Sequence, residues 1–387
     1  MPGQASLKAG VVAGEASGDL LGSHLAAALK AREPDFAFTG IAGPRMIAQG
    51  VQTLHPMEKL SVRGYAEVLR HYREIMAIRR SLSSTLIAMR PSIFIGIDAP
   101  DFNLDLERQM REAGIPAVHF VGPSVWAWRR WRLKKISRCV THMLLMFPFE
   151  PEIYRAAGIP ATYVGHPVAD TVPLHIDREA ARAALALPTG KLIIALLPGS
   201  RRQELEYMAD SFVQTAMRLH SELGAVHFVC PTSSRQTREQ LQEAIYRNGA
   251  QELPLTLLFG HSHEALAASD LALVGSGTAT LEAALFKTPM VITYRQSPIT
   301  WAFMKRMLYL PWIGLPNILA GESLVDELVQ EDATPEKLAA AMLALFKDTV
   351  RQARQRERFL EMHGSLRQNT ASKAADAVMD VLERGRA

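Results

Sequence analysis

The sequence predicts an α/β fold: two Rossmann-like lobes with parallel sheets, facing a central cleft, and further helices at the C-terminus. Apolar runs alternate with helical patterns along most of the chain, as expected of parallel strands joined by crossover helices and covered on both faces. A strand that stops at small residues and leads into a helix occurs at Leu7–Ala13, followed by Gly14-Glu15-Ala16-Ser17-Gly18-Asp19. It occurs again at Leu192–Leu197, followed by Pro198-Gly199-Ser200-Arg201. At 387 residues the chain is longer than the roughly 250–300 at which a single core stops growing, so two domains are expected.

Taken in order, the strand candidates of the first lobe are Ala9–Ala13, Phe36–Ile41, Ile93–Ile97, Ala117–Val121, Met143–Met146 and Thr162–Val164. Those of the second are Leu192–Leu197, Val226–Val229, Leu255–Leu258, Leu271–Val274 and Met290–Thr293. The polar, helix-prone stretch from Ala169 to Lys191 separates the series. The expected organisation is residues 1–168, residues 169–345 and terminal helices over 346–387. The terminal helices, amphipathic over Glu336–Phe346 and Ser372–Arg384, pack back on the first lobe or on a neighbouring chain.

With 48% hydrophobic and 21% charged residues the chain is of ordinary globular composition. Its net charge of +4 is mild but locally concentrated, which favours an anionic partner at one surface. Cys139 and Cys230 are too few for a disulfide framework, and no Cys/His cluster has zinc spacing. Neither a signal-peptide pattern nor a run of about eighteen apolar residues is present. A cytoplasmic protein is expected, with any membrane contact made at its surface.

The first lobe offers carboxylates at strand ends. Gly14 to Asp19 is not Gly-x-Gly-x-x-Gly, and no acidic residue ends a second strand about twenty residues on, so a nicotinamide cofactor is disfavoured. The loop, with Gly14, Ser17 and Gly18, brings backbone and Glu15 close to a sugar. Ile93–Ile97 leads directly to Asp98, and a carboxylate at the carboxyl end of a parallel strand sits where such folds bind ligands. Asp98 is the candidate general base. Asp101, after Pro100, is either a second site residue or the cap of the next helix.

The second lobe offers an anion cradle. Ser200 reads as an N-cap with Gln203 three residues on, exposing a helix N-terminus with Arg201 beside it for a diphosphate. Ser276, Gly277 and Thr278 follow the Leu271–Val274 strand and offer N–H and hydroxyl donors. Glu282, about one helical turn further on, is placed to accept from ribose hydroxyls.

No acidic residue lies between Glu112 and Glu150, where Trp126, Trp128, Arg129, Arg130, Trp131, Arg132, Lys134, Lys135 and Arg138 gather. Such a surface suits phospholipid headgroups or nucleic acid. Upstream, Leu69, Tyr72, Ile75 and Met76 recur at helical spacing among arginines. They form either an interfacial helix or a face packed on its own domain.

Several stretches together resemble bacterial lipid-A-disaccharide synthases: Gly14–Asp19, Ile97–Asn103, Pro123-Ser-Val-Trp-Ala-Trp128, Phe147-Pro-Phe-Glu150, Val164-Gly-His-Pro167, Leu197–Arg201, Gly275–Glu282 and Leu315-Pro-Asn-Ile318. The resemblance runs from about residue 7 to beyond residue 370. It implies an inverting two-lobe (GT-B) glycosyltransferase that moves diacylglucosamine from UDP to the 6-hydroxyl of diacylglucosamine 1-phosphate, forming the β-1,6 disaccharide of lipid A. It further implies Asp98 as the base and a UDP site at Arg201 and Ser276 to Glu282, with Asn317 as a further cleft residue; the glycine loops themselves add Glu15 as a second catalytic candidate and Ser200 as a UDP contact. A homodimer with exchanged C-terminal segments on the inner-membrane face is also implied. No metal or other cofactor is expected, since the chain has no Asp-x-Asp pair. The competing readings are a nucleotide-sugar 2-epimerase on the same scaffold and a non-catalytic binder of membrane or nucleic acid.

Overall fold

The computed structural model describes the backbone of residues 7–60 and 65–385, and the side chains of residues 7–60 and 72–385. The chain divides into two compact units, residues 1–170 with 366–387 and residues 171–365.

In the first unit, β1 (Lys8–Ala13), β2 (Ala37–Ala42), β3 (Val51–Pro56), β4 (Ile93–Ile97), β5 (Ala117–Phe120), β6 (His142–Leu145) and β7 (Ala161–Tyr163) form one sheet, in the order β3-β2-β1-β4-β5-β6-β7. All pairings are parallel. The central strand β4 is buried throughout, which is why it reads as an unbroken apolar run rather than an alternating one. Leu25 and Leu29 from helix Ala16–Arg32, and Leu82 and Leu86 from helix Tyr65–Met89, join it in the core. So do Ala374, Val378 and Leu382 from the last helix, Thr370–Arg384. That helix is capped from across the unit. Both carboxylate oxygens of Asp170 accept, from Asn369 N at 2.9 Å and Thr370 N at 2.6 Å.

The second unit repeats the plan with β8 (Leu192–Leu197), β9 (Val226–Thr232), β10 (Leu255–Phe259), β11 (Leu271–Gly275), β12 (Met290–Tyr294) and β13 (Glu327–Val329), ordered β10-β9-β8-β11-β12-β13. All of these pairings too are parallel. Helices Arg202–Leu223 and Pro335–Lys347 supply Phe212, Leu219, Leu338 and Met342 to its core.

The structure departs from the sequence reading in three places. Edge strands β3 and β13 were not expected. The first, Val-Gln-Thr-Leu-His-Pro, has mostly exposed or half-exposed positions, and the second is three residues long. The terminal segment 346–387 is divided, because the Gln355 amide ties helix Thr349–Leu366 to the second unit by accepting from Met290 N (3.0 Å) and donating to Leu324 O (3.2 Å).

Candidate active-site residues in the two units

In the first unit, the parallel register of Ala13 with Ile97 sets Gly14 beside Asp98 at the carboxyl edge of the sheet. Their approach is close: a Cβ on Gly14 would lie 2.7 Å from the Cβ of Ala99. Asp98 (φ +53°) and Ala99 (φ +43°) are both left-handed, a conformation that non-glycine residues hold only when their surroundings enforce it. Here Asp98 N donates to Phe120 O at 2.8 Å, and Asn103 Nδ2 donates to Asp98 O at 2.8 Å. The next helix, Pro100–Glu112, hangs from Ala99 O, which accepts from Phe102 N and Asn103 N, each at 3.0 Å. Asp98 is half-buried at this tip.

Around it, Glu15 is the N-cap residue of helix Ala16–Arg32, its carbonyl accepting from Asp19 N at 2.9 Å. Ser17 is exposed in the first turn, and Gly18 is buried against Ile97. Asp19 is structural, accepting from Arg45 N (2.9 Å) and Met46 N (3.0 Å).

Two turns inside helix Pro100–Glu112, Glu107 meets His119 of β5, with 2.6 Å between Oε1 and Nδ1 and both side chains fully buried. Burial raises the Glu107 pKa, and His119 pulls the other way. The glycine at Gly96 makes the room, since a Cβ there would collide with Glu107 Oε1. His119 is therefore an internal partner with no exposed surface.

The Trp and Arg cluster is only partly a surface. Trp126 is buried, packing edge-on against Phe149 (5.4 Å) and Phe147 (6.1 Å), and Phe147 stacks on His166. Glu150 closes this loop by accepting from Phe147 N (2.9 Å) and Met146 N (3.1 Å). Burial pushes its pKa up to about 7 against those bonds, and burial lowers that of His166 to about 4. Arg132 is paired with Asp101, and Lys135 (2.7 Å) and Arg79 (2.9 Å) with Asp105. Asp105 is held below the usual carboxylate range: burial works against its charge, and Lys135 and Arg79 outweigh burial. Arg129 lies 4.0 Å over Trp128, while Trp131 is 68% exposed and Arg130 is exposed. In helix Tyr65–Met89, Tyr72 is exposed, Met76 half-buried and Ile75 packed on the core. The side chain of Leu69 lies outside the described residues.

In the second unit, the expected capping box is shifted by one residue. Arg201 is the N-cap, and Glu204 accepts from Ser200 N (2.8 Å) and Arg201 N (3.1 Å). The amides assigned to phosphate are thus held by Glu204. The Arg201 guanidinium, 3.2 Å from the same carboxylate, stays 62% exposed. Tyr294, at the end of β12, was not singled out from sequence, being a lone aromatic closing an apolar run. Its phenol is pushed up by burial and by Glu204, with Arg201 opposing.

After β11, Ser276 N donates to Thr293 O (2.9 Å). Gly277 (φ +142°) has open space where a Cβ would be, and Thr278 is exposed at the start of helix Thr278–Leu285. The first amides of that turn have no partner within the helix. Glu282 is half-buried, 3.8 Å from His263 Nε2; burial raises its pKa and His263 opposes.

Asn317 is not available to a ligand. It is fully buried, donating to Val325 O (2.8 Å) and Glu327 Oε1 (2.7 Å) and accepting from Val325 N (2.8 Å). Glu327 in turn accepts from Ile313 N and Gly314 N, so Asn317 shapes the loop after β12 from behind.

Solved structures share the whole fold. A UDP-GlcNAc 2-epimerase from Neisseria meningitidis bound to UDP-GlcNAc aligns with TM-score 0.61 at 12% identity, covering 98% of this chain and 99% of its own. The calicheamicin glycosyltransferase aligns with TM-score 0.62 at 14% identity, covering 98% and 99%. Among sequence relatives, the lipid-A-disaccharide synthase of Methylobacillus flagellatus is 53% identical over 374 residues, 97% of this chain and 99% of its own. That of Pseudomonas aeruginosa is 49% identical over 378 residues, 98% and 99%. With the lipid-A-disaccharide synthetase profile matching residues 10–381 as well, the chain belongs to that family.

Proposed function

We propose that this chain transfers 2,3-diacylglucosamine from UDP-2,3-diacylglucosamine to the 6-hydroxyl of 2,3-diacylglucosamine 1-phosphate, with inversion, releasing UDP. The observation that carries the reading is the match to relatives named lipid-A-disaccharide synthase, at 53% identity over 97% of the chain. Displacement at an anomeric carbon builds positive charge on the sugar and negative charge on departing UDP. The acceptor hydroxyl therefore needs a base and the diphosphate needs cations or dipoles.

The first unit supplies the base. Asp98, on a turn fixed by Phe120 and Asn103, takes the proton of the 6-hydroxyl, with Glu15 and the Gly14–Gly18 loop against the sugar. The second unit supplies the cradle: Arg201 for the diphosphate, Ser276, Gly277 and Thr278 as donors, and Glu282 for the ribose. Arg201 engages the diphosphate by exchanging its Glu204 partner for phosphate oxygens.

The deciding experiment is a transfer assay with both acylated glucosamine substrates and a chelator, analysed for the disaccharide. Asp98→Ala is expected to abolish turnover while UDP binding persists; undiminished turnover refutes the assignment. C2 inversion of UDP-N-acetylglucosamine without an acceptor would instead support an epimerase.

The same reading has the protein seated peripherally on the inner membrane through Tyr72, Arg130 and Trp131, all exposed. No described helix is long and apolar enough to cross a bilayer. It also has the protein acting as a homodimer with exchanged C-terminal segments, a partner's Thr370–Arg384 helix making the core contacts seen here within one chain.

A further inference from the structure

We propose that the second unit carries its own contact for an anionic lipid surface, the helix Pro298–Lys305 with the turn that follows it. This deepens the membrane-peripheral reading above and rests on it. The helix is capped by Ser297, whose Oγ accepts from Thr300 N at 3.2 Å, and none of its residues is buried. Ile299 is 85% and Phe303 65% exposed. Four residues apart, they stand on one face of the helix, and Arg306 continues that face one turn on.

A soluble protein leaves such neighbouring apolar side chains open only at a cost, so a partner is implied. Charge decides which. No carboxylate occurs in the sequence between Glu282 and Glu322, whereas Arg295, Lys305 and Arg306 are exposed there. Among the described residues, none of these three cations has an ion pair. Apolar side chains flanked by unpaired cations match the acyl boundary and the anionic headgroups of a membrane surface. A second protein copy is a poorer occupant. An aromatic side chain buries roughly 150–250 Å², and this short face falls well below the ~1,000 Å² a stable interface needs.

The test is sedimentation of the full chain with phosphatidylcholine vesicles, with and without phosphatidylglycerol. Binding is expected to require the anionic lipid. Lys305→Gln with Arg306→Gln is expected to weaken it about thirtyfold, from about fivefold per basic residue, and Ile299→Ser with Phe303→Ser to weaken it as well. Since Cys139 and Cys230 are buried, Ile299→Cys takes a single environment-sensitive fluorophore, whose emission should shift blue on anionic vesicles. Unchanged partitioning of both double variants, an unshifted probe, or binding indifferent to phosphatidylglycerol overturns the proposal. A changed sedimentation coefficient of the double variants without vesicles also overturns it, by assigning the face to a second copy. Disaccharide formation in detergent, measured alongside, separates the readings: its absence in the parent protein refutes the transferase, not the lipid contact.

Discussion

Replacing Gly14 with alanine tests whether the approach of the first loop to Asp98 sets the catalytic geometry. The added methyl would lie 2.7 Å from the Cβ of Ala99, about 1 Å inside the ordinary contact distance of ~3.5–4.0 Å. Both neighbours are backbone-borne, so the Asp98–Ala99 turn itself has to move. Overpacking of this kind costs ~1–3 kcal/mol. Gly14 is not among the positive-φ glycines, so alanine regains ~0.4–1 kcal/mol through the unfolded chain.

The net destabilisation is about 0–2.5 kcal/mol, read as a Tm change at roughly 2–4 °C per kcal/mol for a unit of this size. Turnover should fall much further, by about a hundredfold, because a base displaced by about 1 Å loses its alignment with the hydroxyl. The compensating change is Ala99→Gly, which removes the opposing methyl. Alone it should lie between neutral and about 1.5 kcal/mol more stable than the parent, since relief of a left-handed alanine, ~1–2 kcal/mol, is set against the ~0.5–1 kcal/mol entropic cost of glycine. The double variant is expected to recover most of the lost rate. Full activity in Gly14→Ala, or a double variant no better than it, refutes the reasoning.

Other outcomes follow from the same geometry. Arg201→Ala should raise the KM for the UDP-sugar about tenfold. A charge-assisted phosphate contact is worth ~1.5–3 kcal/mol, and the lower figure applies because the group is 62% exposed and screened. Isothermal titration with UDP checks it, and unchanged affinity removes Arg201 from the site.

Glu150 and His166 should oppose each other in pH dependence. With its pKa raised from 4.5 to about 7, Glu150 makes the first unit lose stability as pH rises through that window, by about 3 kcal/mol. With its pKa lowered from 6.5 to about 4, His166 makes stability fall as pH drops through its own. Relative to the parent, Glu150→Gln should therefore gain stability as pH rises from 4.5 to 7 and His166→Phe as it falls from 6.5 to 4, followed by urea unfolding at each pH; parallel profiles sink the assignment. Tyr72→Ser with Trp131→Ser should weaken binding to anionic vesicles while sparing activity in detergent. Ile75→Ser should lower Tm instead, because Ile75 packs on the core.

Much of the fold was legible because buried parallel strands carry continuous apolar runs: the expected strands appear within a residue of their predicted limits, except β9, which runs three residues further, to Thr232. The edge strands β3 and β13 escaped because a strand with one open side need not be apolar. Asp98 and Gly14 could be picked out as residues at strand ends, yet the left-handed turn that couples them depends on Asn103 and Phe120, which periodicity does not link to Asp98. The Trp and Arg stretch misled for a related reason. Composition shows that the charges are there, but only the fold shows Arg132 and Lys135 turned toward Asp101 and Asp105, and Trp126 turned inward. Asn317 looked like a ligand contact because a polar residue inside a recognisable motif reads the same whether its amide faces substrate or backbone.

The closure of the first unit by the chain's last helix has a consequence for biogenesis. As the polypeptide leaves the ribosome, the sheet that emerges first lacks Ala374, Val378 and Leu382, which fill its core, and must wait until the second unit has also been made. The later-made unit, residues 171–365, meets no such delay and can consolidate earlier, reversing the usual N-to-C order of domain folding. A premature stop just before Thr370 would therefore leave the unit of residues 171–365 intact and the Asp98-bearing unit open to proteolysis, a damage pattern set by topology rather than by distance from the cut.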